Sequence, residues 1–376
     1  FMHMFAAFYF IIVLSLEQEW KFSYDELISL WTLGALLIGL GALPAGWLSD
    51  KWSRSSMMVI MFIGMGLSSI LCGLSNEKFL LFIGLSFLGL SCSIYHPVGI
   101  AWVVNATNKK GKALGINGIF GGIGIGSGAF IAGLLIKYFD WKFAFILPGI
   151  ISLIIGLILL FFIFNNLISF ENVKAKNFEE KNSSNELIII ACIMLFSMFT
   201  LGLTFQISQT SIPKVFDIRI ENISTFAIGS TIGIIYGIAG LMTFVGGIMA
   251  DKFSLKKIYV IGIAAQAPCF FFIAYFSGMP LIFVFLIAAM FNSSVLPTEN
   301  ILLAKFTPEK HHGLIYGIKF IVAFGSAPIA VFLISKIYEK TQEFTNLFYI
   351  CSILMVLVTL AVLFLPIKNQ KLYFSN

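Results

Sequence analysis

Gly46-Trp-Leu-Ser-Asp50-Lys51-Trp52-Ser53-Arg54 closes one apolar stretch of the chain, and Gly247-Ile-Met-Ala-Asp251-Lys252-Phe253-Ser254 closes another. Gly, Asp, Lys, an aromatic residue and Ser recur at a constant offset of 201 residues in a chain of 376. Loops that match at a little over half a chain length indicate a duplicated unit.

The unit belongs in a bilayer. Hydrophobic residues make up 59% and charged residues 11%, with 41 Phe and a mean hydropathy of +0.97, against about 45–50% apolar and about 25% charged for a soluble domain. A spanning helix takes roughly 20 apolar residues. Twelve apolar stretches can be marked, at 1–16, 25–48, 56–75, 79–105, 112–136, 143–164, 187–212, 223–249, 258–277, 280–304, 313–336 and 344–365. The polar stretch 165–186 divides them six and six. The expected organisation is an N-terminal six-helix bundle over 1–164, a linker over 165–186 and a C-terminal bundle over 187–376. The fold class is an all-α membrane protein of two pseudo-symmetric bundles. The short first stretch has neither a basic region before it nor a cleavage site after it. It therefore reads as a span and not a signal peptide, with the natural start expected upstream of Phe1.

The net charge of +6 is explained by its distribution. With the N-terminus in the cytoplasm, fifteen of the 24 Lys and Arg fall in inner loops and eight in outer ones, with Lys319 inside a span. That asymmetry places both termini on the cytoplasmic side of the inner membrane and makes nucleic acid an unsuitable partner. The five cysteines all lie in apolar segments without metal-ligand spacing, so no disulfide, metal or cofactor is expected.

The paired Gly-x-x-x-Asp-Lys loops and the six-plus-six layout resemble the major facilitator superfamily of secondary transporters over the whole chain. That resemblance implies a conformational latch in which Asp50, with Lys51 and Arg54, faces a helix N-terminus of the other bundle. Asp251 and Lys252 form the weaker mirror copy. The family's usual glycine is replaced by Ser53 and Ser254, and Arg54 has Leu255 as its counterpart. The family's fourth-span arginine would fall at Leu85, so that coupling device is missing. Gly124, Gly128 and Gly133 meet part of the antiporter pattern, with Ala129 and Ala132 departing from it. Tyr95-His96-Pro97-Val98-Gly99, followed by Gly111-Lys-Ala-Leu-Gly115, is similar to the fosmidomycin-resistance exporters and favours export.

Several polar residues lie within the spans, where each needs a physical reason. Glu299 is the only acid deep in a span, roughly 9 Å from its inner end. Lys319 lies at similar depth in the next, antiparallel span, so the two can pair as a proton-coupling site or as a structural salt bridge. His96 and His3 are further coupling or substrate candidates. Tyr95, Asn117, Gln206, Gln209, Asn292 and Asn300 are candidate cavity residues. Glycines 118, 122 and 126 share one face of the fifth span and read as a helix-packing stripe.

These features lead to the expectation of a monomeric transporter that carries a small organic anion or drug-like molecule by alternating access, coupled to protons, with the lipid bilayer as its surroundings. A non-transporting membrane sensor or assembly factor of the same fold is the alternative, favoured if Glu299 and Lys319 prove dispensable. An enzyme is not expected: Gly-x-Ser-x-Gly and His-Glu-x-x-His are both absent.

Overall fold

The computed structural model describes residues 1–105, 110–168, 184–306 and 312–366, and it describes Asp50 by its backbone alone. Most of the expected linker lies outside these residues. Among them, regular structure is helical. The first six spans are α1 (Met2–Trp20), α2 (Tyr24–Ser29 continued by Thr32–Lys51), α3 (Arg54–Gly73), α4 (Lys78–Cys92, a π turn Tyr95–Gly99, then Ile100–Asn105), α5 (Lys110–Tyr138) and α6 (Trp141–Phe164). The last six are α7 (Ser184–Arg219), α8 (Thr225–Lys252), α9 (Leu255–Ala264 with Gln266–Tyr275), α10 (Gly278–Phe306), α11 (His312–Thr341) and α12 (Thr345–Leu363). Eleven of these spans are long and apolar enough to cross a membrane. The remaining one, α1, carries Glu17 and Glu19 at its end.

Local chemistry sets the boundaries. Asp140 caps α6 by accepting from the backbone N–H groups of Lys142 and Phe143, at 2.7 and 3.2 Å. Ser53 caps α3 by accepting from Ser56 N–H at 3.2 Å, and Ser254 holds the N-cap position of α9. The serine of each repeat thus starts the next helix. In α4, Pro97 lacks an N–H and falls inside the π turn, where the regular ladder is interrupted.

Each helix sorts its faces by burial. On α6, Ile154, Leu157, Ile158 and Phe161 follow helical spacing and are exposed, forming a lipid-facing stripe. Buried serines on facing helices donate to carbonyls, as Ser69 does to Phe145 and Ser152 to Phe62, at 2.6 and 2.8 Å. In lipid such bonds and close packing hold helices together, because burial against lipid tails gives little driving force.

The two bundles meet along a seam. On one side of it α5 and α8 run antiparallel with their backbones nearly touching. A Cβ on Gly122 would stand 2.5 Å from the Gly240 Cα, and one on Gly126 2.6 Å from the Gly233 carbonyl oxygen. The stripe expected to pack helices therefore packs the two bundles against each other. Gly124 and Gly128 serve another neighbour, lying against His3 and Met4 of α1. On the other side of the seam α2 meets α11, where a Cβ on Gly39 would lie 3.5 Å from Gly325 N.

Two expectations need correction. The first and seventh spans run on past 16 and 212, to Trp20 and Arg219. Lys214, read as a loop cation, is instead a buried helical residue, 6% exposed. Ion pairing lets the helices continue: its Nζ lies 2.6 Å from Glu17 Oε2 and 2.9 Å from Asp217 Oδ2.

Candidate functional site

Glu299 of α10 and Lys319 of α11 form an ion pair, with Oε1 to Nζ at 2.6 Å and both side chains buried. Antiparallel neighbours place the two residues at matching depth. The remaining polar atoms are also used. Lys319 donates to Asn300 Oδ1 at 2.6 Å, and the Tyr259 hydroxyl of α9 donates to Glu299 Oε2 at 2.9 Å. The same hydroxyl is 2.8 Å from Ser197 Oγ of α7. Side chains from α9 and α11 thus meet the carboxylate that α10 carries, and α7 reaches it through Tyr259. Such saturation is what allows a charge pair to persist away from water, where removing either partner strands the other. Nearby in sequence, the buried Thr298 Oγ1 on α10 has no partner among the described residues, and neither has Thr200 Oγ1 on α7.

One residue beyond Lys319, α11 turns its aromatic side chains across the seam. His96 lies over Phe320 and Phe324, with ring centroids at 4.9 and 4.7 Å. Its own bundle surrounds it with ring edges, His3 at 5.3 Å and Tyr95 at 5.2 Å. Tyr95 is fixed by donating its hydroxyl to Asn117 Oδ1 at 2.7 Å. His96 itself is 9% exposed, and among the described residues neither ring nitrogen has a hydrogen-bond partner. A neutral imidazole carries one donor and one acceptor, and leaving such a group unsatisfied costs on the order of 1–3 kcal/mol. Packing alone gives no reason to hold it there.

The structure therefore brings His3, His96, Tyr95 and Asn117 together in the first bundle, and Glu299, Asn300 and Lys319 in the second. Asn292 stands apart from both, donating to Gln266 Oε1 at 3.2 Å. It lines a narrow cavity of about 20 Å³ with Ser208 and Tyr236, room for about one water molecule. On α7, Gln209 is buried and Gln206 half-buried. A larger groove of about 400 Å³ between Glu26, Lys78 and Phe79 lies on the rim, open and away from these groups.

At the linker end, Lys51 is exposed with its ammonium 4.4 Å from the Trp47 ring, and Arg54 is half-buried at the start of α3. Asp251 and Lys252 are exposed at the end of α8. The side chain of Asp50, on which the latch reading turns, lies outside the described residues.

The opposite end of the seam holds residues that sequence reading missed. Besides the Glu17–Lys214 pair, the Tyr24 hydroxyl donates to the Thr210 carbonyl at 3.3 Å and Ser335 donates to the Asp25 carbonyl at 3.2 Å. Tyr24 also packs edge-on to Tyr338, with centroids 5.1 Å apart. The only signal in the sequence was the three-residue spacing of Lys214 and Asp217, which suits one helix face.

Two six-helix bundles packed along such a seam, with ionisable groups buried inside, define a duplicated helical membrane protein. The Major Facilitator Superfamily model matches residues 1–242 and 187–374, and the chain belongs to that family. The solved D-xylose-proton symporter superposes with a TM-score of 0.69 at 16% identity, covering 98% of this chain and 97% of that one. Among curated relatives, the riboflavin transporter RibZ of Clostridioides difficile is 30% identical over 148 residues, 38% of this chain and 32% of that protein. The 4-hydroxybenzoate transporter PcaK of Pseudomonas aeruginosa is 30% identical over 153 residues, 39% and 33% of the two chains. The quinolone resistance protein NorB of Staphylococcus aureus is 28% identical over 204 residues, 52% and 42%. The matched stretches thus span less than half the length of each relative.

Proposed function

We propose that this protein is a secondary transporter that carries a small organic anion across the inner membrane by alternating access, with proton movement coupled to the step. The observation that carries this reading is the buried Glu299–Lys319 pair one residue from the ring that touches His96 across the seam. An intramembrane ion pair is a functional candidate by default. Protonating Glu299 would release Lys319 and loosen α11 from α10. Because Phe320 is on the same helix, that motion would also reach the His96 contact. The names of the matched relatives, transporters and a resistance protein, support a small-molecule cargo.

The bundles 1–164 and 187–376 would rock as units about this site, joined by the linker 165–186, in a monomer with both termini cytoplasmic. With that orientation the Glu17–Lys214 contact closes the outer end. Asp50, Lys51 and Arg54, with Asp251 and Lys252, would latch the inner end in the alternate state. The partial antiporter pattern on α5 favours export in exchange for protons.

A thermal-shift screen on detergent-purified protein tests this, using organic anions, sugars, amino acids and antibiotics at about pH 5.5 and about pH 7.5, on either side of the histidine range. A ligand at about 100 times its Kd stabilises the folded state by about 2.7 kcal/mol. The expected result is an anion whose shift depends on pH and weakens in Glu299→Gln. Silence across the panel from a well-folded protein would move the reading to a non-transporting sensor.

A further inference from the structure

The groove between α2 and α4 lies at the end of the first bundle opposite the Asp50 loop, where both helices begin, with Tyr24 and Lys78 as their first residues. It encloses about 400 Å³, and Leu30, Phe79 and Phe82 give it apolar walls. Two opposite charges also line it. Lys78 Nζ lies 3.8 Å from Glu26 Oε2, longer than a hydrogen bond, so the pair leaves bonding positions open on both groups. The ammonium is steadied over the Phe22 ring, 3.7 Å from its centroid. Deeper in, the helices close on each other. A Cβ on Gly34 would stand 2.7 Å from the Leu85 carbonyl oxygen, and one on Gly89 would overlap the Gly34 carbonyl. Leu85 follows Lys78 by roughly 10 Å along the helix, so the groove is a wedge of about that depth. Phe79 is 68% exposed, and Phe87 and Leu90 are exposed further along α4, which puts the wedge on the lipid-facing surface.

We propose that this wedge is a binding site for a phospholipid whose headgroup carries both a phosphate and a primary ammonium, the chemistry of phosphatidylethanolamine. The inference depends on neither the cargo nor the proton coupling proposed above. The phosphate accepts from the Lys78 ammonium and the headgroup ammonium donates to the Glu26 carboxylate, so each charge meets its opposite. A choline headgroup has no N–H to donate. A glycerol headgroup brings no cation and sets its phosphate beside an uncompensated Glu26. The apolar walls take the glycerol backbone and the first methylenes, contacts that a soluble ion does not make. Past the crossing, Leu40 of α2 and Leu90 of α4 are exposed, and Leu90 Cδ1 lies 3.2 Å from where a Cβ on Gly41 would stand, which gives the acyl chains a continuous track.

Brominated lipids quench a nearby fluorophore and so report which lipid occupies the site. Full-length protein with exposed Cys192 replaced by Ser carries one bimane-labelled cysteine and is reconstituted in phosphatidylcholine with rising fractions of a brominated lipid. Phe87→Cys places the label beside the wedge, and Ile150→Cys places it on the lipid-facing side of α6 as the reference. Each position stands nine residues past the start of its span, so the two depths match. At Phe87→Cys, brominated phosphatidylethanolamine is expected to compete about tenfold better than brominated phosphatidylcholine, a difference of about 1.4 kcal/mol. At Ile150→Cys the two should quench alike. Glu26→Gln should remove the preference, and Glu26→Lys should reverse it toward phosphatidylglycerol. Lys78→Gln should weaken phosphatidylethanolamine against a brominated diacylglycerol, which has no phosphate. Melting curves establish that each variant is folded. Equal quenching at Phe87→Cys, the same preference at Ile150→Cys, or a preference that survives Glu26→Gln would overturn the proposal. Water-soluble glycerophosphoethanolamine that abolishes the difference would also overturn it, by assigning the site to a soluble ion.

Discussion

Lys214 Nζ of α7 and Glu17 Oε2 of α1 meet 2.6 Å apart and join the two bundles at one end of the seam. Asp217, on the same helix as Lys214, takes a second position on that ammonium at 2.9 Å. When the bundles part, Lys214 keeps Asp217 and loses only Glu17, so the buried cation is never stranded. Glu17→Gln should therefore loosen this end without unfolding the protein. A charged hydrogen bond contributes about 1.5–3 kcal/mol, so a cysteine placed at buried Thr210, with exposed Cys192 replaced by Ser, should alkylate about tenfold faster or more. Unchanged labelling would show that the pair does not hold the seam.

The glycine contact between α5 and α8 is predicted to be sterically specific. Gly122→Ala places a methyl group 2.5 Å from the Gly240 Cα, and Gly229→Ala one 2.4 Å from the Ala129 carbonyl oxygen. Overpacking of this kind costs about 1–3 kcal/mol, read as a lower melting temperature. Gly237→Ala, which among the described residues meets nothing within 4 Å, is the control and should leave the melt unchanged or raise it slightly. Equal effects at all three positions would remove the seam from the explanation.

The Glu299 network should behave non-additively. Glu299→Gln or Lys319→Met alone leaves a buried charge unpaired, a loss of about 3–5 kcal/mol. The double variant removes both charges and should recover much of that loss. A double-mutant cycle on urea or thermal unfolding measures the coupling, and simple additivity would mean the two do not act as a pair in solution. Tyr259→Phe, which removes one donor to the Glu299 carboxylate, should cost about 1.5–3 kcal/mol.

Outside the spans, the short turn between α11 and α12 carries its own pH dependence. Glu343 Oε1 accepts from Arg219 Nε at 2.9 Å, and its other oxygen accepts from Arg219 Nη2 and from Thr345 Oγ1. Partial burial pushes the Glu343 carboxyl up, but the hydrogen bonds from Arg219 and Thr345 outweigh it and hold the group below its usual value. A carboxylate depressed in the folded state stabilises that state above its unfolded pKa. That contribution fades as pH falls through the lower, folded value. Glu343→Gln should accordingly flatten the acid-side fall of melting temperature below about pH 4.5 while changing its slope near neutrality little. An unaltered acid limb would mean the pair contributes nothing there.

Span number, duplication and family were legible because they depend on composition and on a repeat that survives in a few residues. The Glu299–Lys319 pair was legible for a related reason: two opposite charges in consecutive antiparallel spans lie at equal depth. Tyr95 and Asn117 were named as cavity residues, and the structure joins them directly. Lys214 and Glu17 were not recognised, because a charge near the end of an apolar run looks the same in a loop as in a helix that continues. Their partners come from α1 and α7, 197 residues apart in sequence. Gln206 and Gln209 were legible as polar residues within a span, but sequence gave no partner for either.

The sequence by itself determined that this chain fills a bilayer with two six-helix units, since that follows from hydropathy, length and a repeated loop. Only the tertiary structure decided which bundle surfaces meet. The glycine stripe of α5 faces α8 and not a helix of its own bundle, and His96 lies on phenyl rings of α11. Helix periodicity assigns a residue to a face of its own helix, but which neighbour that face meets is set by the close packing of all twelve spans together.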